Sequence, residues 1–513
     1  MYVIRHKLKP KCNDITIIEK RFHLVSKIHN NLVSYAKKHL RMLKRDKDYR
    51  SALTAYHEAK NAENAIAKKT ASDILNKIIE FYGLTKTALE KYVSVDQKKY
   101  TQHLSSQQCQ AEAARVLKGV EAVLYSNGKD VHYKKYDDFN TICCKCPTNG
   151  IRLYDAIHTD FLPKSMEKPD FECIEWLGLI IPVEIDWKDP YVLAAMDNPD
   201  VAYCEIVRIP FNDGYHYYVD VYFRGTAPRK TKQKDIGVGV AGIDPGVSTV
   251  AVTTDDALFL EELAPRAKEY NKKIAKLQRQ IDASTRATNP ENYNEDGTCK
   301  KGKHKWVFSK SCLRRKQQLR VLYRKKSAYI KQSHRELINK LLAHADIYKV
   351  EKMTFKALQR RSKKTERQDK TSEVKNKKGE VKKVKKFKKK KRFGKSLNDR
   401  APSEFLTLLQ EKCAQYGLPY IEIKTSEFKA SQYNHTTNKY DKCPLDQRSK
   451  DIGGHEVQRD LYSSFLIQHS NAAGTKPRRK DCVRDFDNFL YLHDNLIEKM
   501  KVDGKTMKQC FGF

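Results

Sequence analysis

Three carboxylates stand where regular structure would gather them. Asp244 closes the apolar run of AGIDPGVST just before a Pro-Gly turn, Glu351 ends the strand-like IYKVE, and Asp460 falls in the first turn of a helix predicted from HEVQRDLYSSFLIQ. Taken singly, each suits a structural role: aspartate is a common turn former, a strand-end glutamate is an edge charge, and the helix dipole favours an acid in a first turn. Taken together they match a phosphodiesterase that uses two divalent metals, which needs several carboxylates converging from strand ends and one helix. Mg²⁺ takes oxygen ligands and keeps several waters, so two or three carboxylates suffice without histidine or cysteine. The expected catalytic and metal-binding set is Asp244, Glu351 and Asp460. Asp255, Asp256, Asp346 and Glu456 are the nearest competitors, and none has a better position.

The elements that must hold these acids are legible as patterns. A short opening strand is expected over residues 2 to 9, and from about Ile15 to Leu124 apolar residues recur at three- and four-residue spacing, a basic helical module. From Asn127 to about Lys234, runs such as WLGLIIPVEID, VAYCEIVRIPF and YHYYVDVYFRG indicate antiparallel strands of a β-barrel-like domain. VGVAGIDPGVSTVAVTTDD reads as two strands around a Pro-Gly turn, with Asp255 and Asp256 in that hairpin's turn. Helices follow from Arg266 to about Thr285 and from about Leu313 to His344, then a strand, ADIYKVEKM. A helix (Ala401 to Gln415), the strand PYIEIKT, a polar loop and a helix starting near Glu456 complete an interrupted α/β domain. Strand and helix alternate there in the order of a ribonuclease H-like sheet.

The bulk composition limits the partners. The chain has 513 residues with 100 Lys and Arg against 63 Asp and Glu, a formal charge of +37 that favours polyanions. Residues 360 to 395 alone carry 19 basic and 4 acidic side chains, a low-complexity run. The first residues, MYVIRHKLKPK, lack the apolar stretch of a secretory signal. The longest apolar run, Trp176 to Ile185, is too short for a membrane helix, which needs about 20 residues. Thirteen cysteines in such a chain read as reduced thiols. These features predict a cytoplasmic, nucleoid-associated protein with no membrane partner.

GIDPGVSTVAV, YKVEKMTFKALQRR and HEVQRDLYSSFLI resemble the three RuvC motifs of the TnpB proteins of insertion sequences and of their descendants, the type V CRISPR effectors. HLSSQQCQAEAARVLKGVEAVLY, IEWLGLIIPVEID, YCEIVR, ATNPENYNEDGTCKKGKHKW and KASQYNH also look like that family, in the family's order, over nearly the whole chain. The resemblance implies a multidomain α and α/β protein with a β-barrel: an RNase H-like (RuvC) nuclease, an oligonucleotide-binding-like wedge barrel and a helical recognition domain. On that reading residues 1–14 give the wedge barrel its first strand, 15–125 form the recognition domain and 126–235 the rest of the barrel. The nuclease occupies 236–359, 396–430 and 456–513, interrupted by a basic lid at 360–395 and a zinc-ribbon-like strand-loading region at 431–455. The implied function is RNA-guided cleavage of double-stranded DNA beside a short flanking motif. The same site would cut both strands, leaving a 5′-phosphate and a 3′-hydroxyl. The implied cofactor is Mg²⁺, two per site. The partners would be a guide RNA, either a transposon-end ωRNA or a CRISPR RNA, target duplex and displaced single-stranded DNA.

One departure from the family is informative. Where relatives carry two Cys-x-x-Cys pairs, this chain offers only His435, Cys443 and His455, so no structural zinc is expected. Cys143, Cys144 and Cys146 lack a second pair and read as a partly buried loop. Arg459 either contacts a scissile phosphate or is a solvated helix-start arginine. Tyr215, Tyr217 and Tyr218 suit either base stacking or strand packing. Two other function classes stay open: a nuclease-inactive RNA-guided repressor, which has no use for three metal-binding acids, and a basic ribosomal-type protein, which leaves the ordered segments unexplained.

Overall fold

The computed structural model describes residues 1–513 except 127, 159–161, 163–166, 168, 229–234, 359–366, 376–380, 388–393, 443, 445–446, 508–509 and 511–513. The chain divides into two compact units, Met1–Thr231 and Lys232–Phe513. Among the described residues no helix is long and apolar enough to cross a membrane.

The first unit opens with β1 (Tyr2–Leu8), followed by the helices α1 (Cys12–Arg45), α2 (Lys47–Asn61), α3 (Ala65–Phe81), α4 (Lys86–Gln97) and α5 (Ser106–Tyr125). Most start on a side-chain cap: Asp46, Asn64, Thr85 and Ser105 each accept a hydrogen bond from a backbone N–H of the first turn. The strands β2 (Thr141–Cys143), β3 (Arg152–Tyr154), β4 (Cys173–Trp176) and β5 (Leu179–Glu184) follow, then a short helix α6 (Pro190–Met196) and the long hairpin β6 (Val201–Phe211) and β7 (Gly214–Phe223). They form one sheet in the order β2-β6-β7-β1-β5-β4-β3, so the first strand of the chain lies inside the sheet, antiparallel to both neighbours. The buried guanidinium of Arg208 ties this sheet to α1, bonding Glu19 at 2.6 Å and the Phe139 carbonyl at 3.0 Å.

The second unit begins with β8 (Val240–Pro245), β9 (Thr249–Thr253) and β10 (Leu258–Glu262). Asp255 and Asp256 therefore lie in the turn between β9 and β10, not at the Pro-Gly turn; LFLEE is a third strand that the sequence reading passed over. The helical hairpin α7 (Ala267–Thr288) and α8 (Lys310–Leu342) leads to β11 (Ile347–Glu351) and a single turn α9 (Phe355–Leu358). Within the basic run the backbone forms an antiparallel pair, β12 (Arg367–Lys375) and β13 (Val381–Phe387), where the sequence suggested only a low-complexity loop. Next come α10 (Gly394–Arg400), α11 (Pro402–Tyr416), β14 (Tyr420–Ile423) and the turn α12 (Thr425–Phe428). Two small hairpins follow, β15 (Tyr433–Asn434) with β16 (Lys439–Tyr440) and β17 (Ser449–Ile452) with β18 (His455–Gln458). The unit closes with α13 (Arg459–Gln468) and α14 (Arg479–Val502).

The helix expected from Glu456 thus starts three residues later. His455–Gln458 pair with Ser449–Ile452 across Gly453 and Gly454, whose φ of +62° and +86° suits a tight hairpin turn. Gln458 then caps α13 by accepting the Leu461 N–H at 2.6 Å.

The principal sheet has the order β10-β9-β8-β11-β14, antiparallel across the first three strands and parallel from β8 through β11 to β14. Ala241, Ile243, Tyr348 and Val350 point to one face, packed with Ile338, Leu341, Phe405 and Leu409 of α8 and α11. On the other face Ala251 and Ile423 pack with Leu461, Phe465, Phe486 and Phe489 of α13 and α14. The result is a three-layer sandwich with the sheet in the middle.

Candidate active site

Asp244 and Glu351 end adjacent parallel strands. The register pairs Ile347 with Val240 and Val350 with Ile243, so the next step sets Glu351 beside Asp244. Because side chains alternate along a strand, Asp244 shares a face with Gly242 and Val240, the face covered by α13. That helix runs antiparallel to β8 in matched steps. The Gln468 side chain donates to the Val240 carbonyl at 3.0 Å, and the Ser464 carbonyl lies directly over Gly242. Four helical residues advance about 6 Å and two strand residues about 6.7 Å, so the next step down α13 from Ser464 is Asp460, over Asp244.

Two residues permit this approach. A Cβ at Gly242 would overlap the Ser464 carbonyl oxygen and the Gln468 nitrogen, both backbone atoms, so a strand and a helix come together here only over glycine. Lys349 is buried on β11, and its ammonium donates to the Gln468 and Ser470 carbonyls at 2.9 Å each, closing the C-terminal end of α13. Burial, aided by Arg478, lowers its pKa while Asp481 opposes. At the other end, the Gln458 N–H donates to His493 Nε2 at 3.0 Å, and His493 Nδ1 then carries a proton toward Asp494 at 2.9 Å.

The acids perturb one another. Asp244 keeps only a partly exposed edge, and burial raises its pKa well above the usual carboxylate range. The negative charges of Glu351 and Asp460 and a hydrogen bond to Glu351 add to that rise, while Arg459 opposes it. Glu351 is also raised, first by burial, with hydrogen bonds from Asp244 and Thr425 opposing and the charge of Asp460 adding. Burial and the shared negative charge thus push both carboxyls upward, Asp244 the more strongly. The Thr425 hydroxyl has one proton and lies 2.8 Å from the Lys352 carbonyl, so it serves either that oxygen or Glu351.

Asp460 is turned toward arginines. Arg459 folds back on it at 3.2 Å, and Arg448 approaches its other oxygen at 3.7 Å. Arg459 also donates to the Gln447 carbonyl at 2.9 Å, so it holds the loop ahead of β17 and is not a freely solvated side chain. Among the described residues no three His, Cys, Asp or Glu side chains form a preformed metal-ligand group. The donor chemistry nevertheless fits a hard cation: two adjacent acids whose carboxyls are pushed upward by burial and neighbouring charge, and a third carboxylate within range of that charge. Asp460 would complete the set by leaving its arginines.

The competitors are placed elsewhere. Asp255 accepts from Gln468 at 2.7 Å, Asp346 accepts the Gly239 N–H at 3.0 Å, and Asp256 pairs with His344 at 2.8 Å. Val240 starts β8 and Gly239 directly precedes it, so these acids serve the end of the sheet opposite Asp244. Glu456 is exposed on β18.

His435 is buried, with Nδ1 2.8 Å from the Tyr462 hydroxyl and the ring 4.6 Å from that of Phe486; Cys443 lies outside the described residues. His455 is exposed. In that loop Cys144 is buried and Cys143 and Cys146 are partly so; burial pushes the Cys143 thiol, and that of the neighbouring Cys204, up to about 12. Tyr217 donates to Glu19 at 2.7 Å and Tyr215 covers Arg208, both committed to packing, while Tyr218 is half-buried. The side chains of the basic run at 360–393 lie outside the described residues. Sequence reasoning did not single out Gly242, Lys349 or Thr425. Lysine inside the apolar strand IYKVE was the available signal, because a buried ammonium must find acceptors.

No protein-family profile and no curated protein matches the chain. Among solved structures, a chain in the cryo-EM structure of a CRISPR-Cas12f ternary complex aligns with 89% of this chain and 82% of its own length, at 11% sequence identity and a TM-score of 0.26.

Proposed function

We propose that this protein is an RNA-guided DNA endonuclease that cuts duplex DNA beside a short flanking motif with a single RuvC-type carboxylate site. The observation that carries the nuclease half is the convergence of Asp244, Glu351 and Asp460 from two neighbouring strand ends and the first turn of the covering helix. The strand order β10-β9-β8-β11-β14 supports the RNase H-like reading. The guided half rests on the ordered segments that resemble TnpB and type V effectors, and on the charge of +37. Partners on this reading are a guide RNA, the target duplex and the displaced single strand.

Asp244, Glu351 and Asp460 would hold Mg²⁺, which supplies Lewis-acid polarisation of the phosphate and a nucleophilic water. The chain's own part is positional. Asp244 and Glu351 stand side by side at the strand ends, where a cation would relieve the repulsion that raises both. Lys349 and Gly242 fix the helix that delivers Asp460, and Arg459 and Arg448 hold Asp460 until it turns.

The Asp460–arginine contacts and the absence of a closed ligand set among the described residues favour a second reading, an RNA-guided binder without cleavage. Asp244→Ala separates the two. The variant is expected to lose Mg²⁺-dependent cleavage of guide-matched DNA while binding that DNA as before, because the carboxylate contributes little to duplex affinity. Cleavage unchanged in the variant overturns the site, and no cleavage by the parent protein with its co-purified RNA selects the binder.

A further inference from the structure

The connection between α7 and α8 is long, ordered and expensive in buried polar groups. Asn289 is fully buried: its amide donates to the Thr285 and Val307 carbonyls at 2.8 Å each, and its oxygen accepts the Val307 N–H at 2.7 Å. Asn292, also buried, donates to the Lys305 carbonyl at 2.9 Å, and its own carbonyl accepts the Lys300 N–H at 2.9 Å. Tyr293 and Cys299 bridge in strand fashion. Long ordered loops of this kind are uncommon and are usually functional.

What the loop presents is aromatic and basic. Trp306 is 37% exposed, with Tyr293 at 5.9 Å and His304 at 6.4 Å, both nearly perpendicular to it. His304 Nε2 donates to the Lys300 carbonyl at 2.8 Å and Arg286 sits 4.6 Å over Tyr293, so the indole is supported by rings that are themselves fixed. Residues 298 to 316 contain eight Lys and Arg and no Asp or Glu. The other two tryptophans are packed, Trp176 fully buried and Trp187 partly so. Packing accounts for the buried part of Trp306, and leaves an exposed edge of the indole beside cations.

We propose that the tip of the α7–α8 hairpin is a stacking platform for unpaired bases of an RNA, with Trp306 receiving a base and the surrounding lysines the phosphates. Unpaired nucleotides combine a flat, uncharged base face with a negative phosphate, the pair of features that an indole beside lysines complements, and stacking discriminates unpaired from paired bases because a duplex hides its base faces. RNA is recognised mainly through such single-stranded loops and ends. The platform lies apart from the three acids and its binding does not depend on cleavage, so the test is independent of the proposed chemistry.

The full-length protein is titrated in EDTA against a ten-nucleotide oligouridylate, an RNA duplex of equal length and the matching oligothymidylate, each carrying a 5′ fluorescein, following fluorescence anisotropy. Stacking on an aromatic is worth about 1–3 kcal/mol per base, so Trp306→Ala is expected to weaken oligouridylate binding about 5- to 150-fold. Trp306→Phe should retain most of the affinity, and duplex binding should be the same in all three proteins. A 4-thiouridine crosslink is expected between residues 293 and 308. Unchanged oligouridylate affinity in Trp306→Ala, an equal loss on the duplex, or a crosslink mapping elsewhere overturns the platform. Tighter binding of oligothymidylate than of oligouridylate overturns the assignment to RNA.

Discussion

His435 is a buried imidazole that faces a tyrosine hydroxyl. Its Nδ1 accepts the Tyr462 hydroxyl at 2.8 Å, and its backbone N–H donates to the same oxygen at 3.1 Å. Arg479 holds its carbonyl at 2.8 Å. Burial, with Arg479 and His469, lowers the pKa from 6.5 to about 4. An imidazole that is harder to protonate when folded contributes its full stability above the unfolded pKa and loses it as pH falls through the folded one. Between pH 7 and pH 5 this one group costs about 2 kcal/mol. Urea denaturation of His435→Gln is therefore expected to show a smaller loss from pH 7 to pH 5 than the parent by about that amount. With Mg²⁺ kept in excess, a zinc-selective chelator should leave the parent's midpoint at pH 7 unmoved; a drop that added zinc reverses would show a zinc-bound site and defeat this account.

At the scale of elements, the site depends on α13 lying directly on β8. Gly242 gives the contact, Lys349 closes the far end of the helix, and Gln458 caps the near end. A methyl at position 242 meets two backbone atoms that cannot rotate away, so Gly242→Ala must push the helix off the sheet. The expected cost is about 1–3 kcal/mol, the range for overpacking a close contact. The displacement acts on Asp460, so cleavage should fall more steeply than stability. Thermal melting and cleavage rate measured together test this, and a variant that melts and cuts like the parent shows that the close approach is not required.

For the whole molecule the controlling quantity is charge. The run from 360 to 395 carries a net +15, which leaves +22 over the rest of the chain. α8 alone holds eleven Lys and Arg against one Glu. A polyanion neutralised at many points releases counterions, so RNA affinity should fall steeply with salt. With about 6–10 phosphate contacts the loss is about 10³–10⁵ between 50 and 200 mM. Deleting residues 363–391 should lower the slope of log K against log salt without abolishing it. A slope that vanishes on deletion would place all phosphate contacts in that run.

Local periodicity is a property of neighbouring residues, and what depends on it was readable from the chain alone. The strand ends at Asp244 and Glu351, the helices α7, α8 and α11, and the charge asymmetry follow from two- and four-residue spacings and from counting. Only the tertiary structure decided what depends on partners far away in sequence. Lys349 bonds carbonyls about 120 residues later. His435 is committed to Tyr462 and Phe486, and Asn289 to Val307. HEVQ reads as helix by its own pattern yet pairs as strand, because Ser449–Ile452 lies beside it and two glycines allow the turn. The acids could be nominated one by one from spacing. Their mutual repulsion, the upward pull on the Asp244 and Glu351 carboxyls, and the arginines on Asp460 exist only because folding brings strand ends and a helix start within reach of one another's charge.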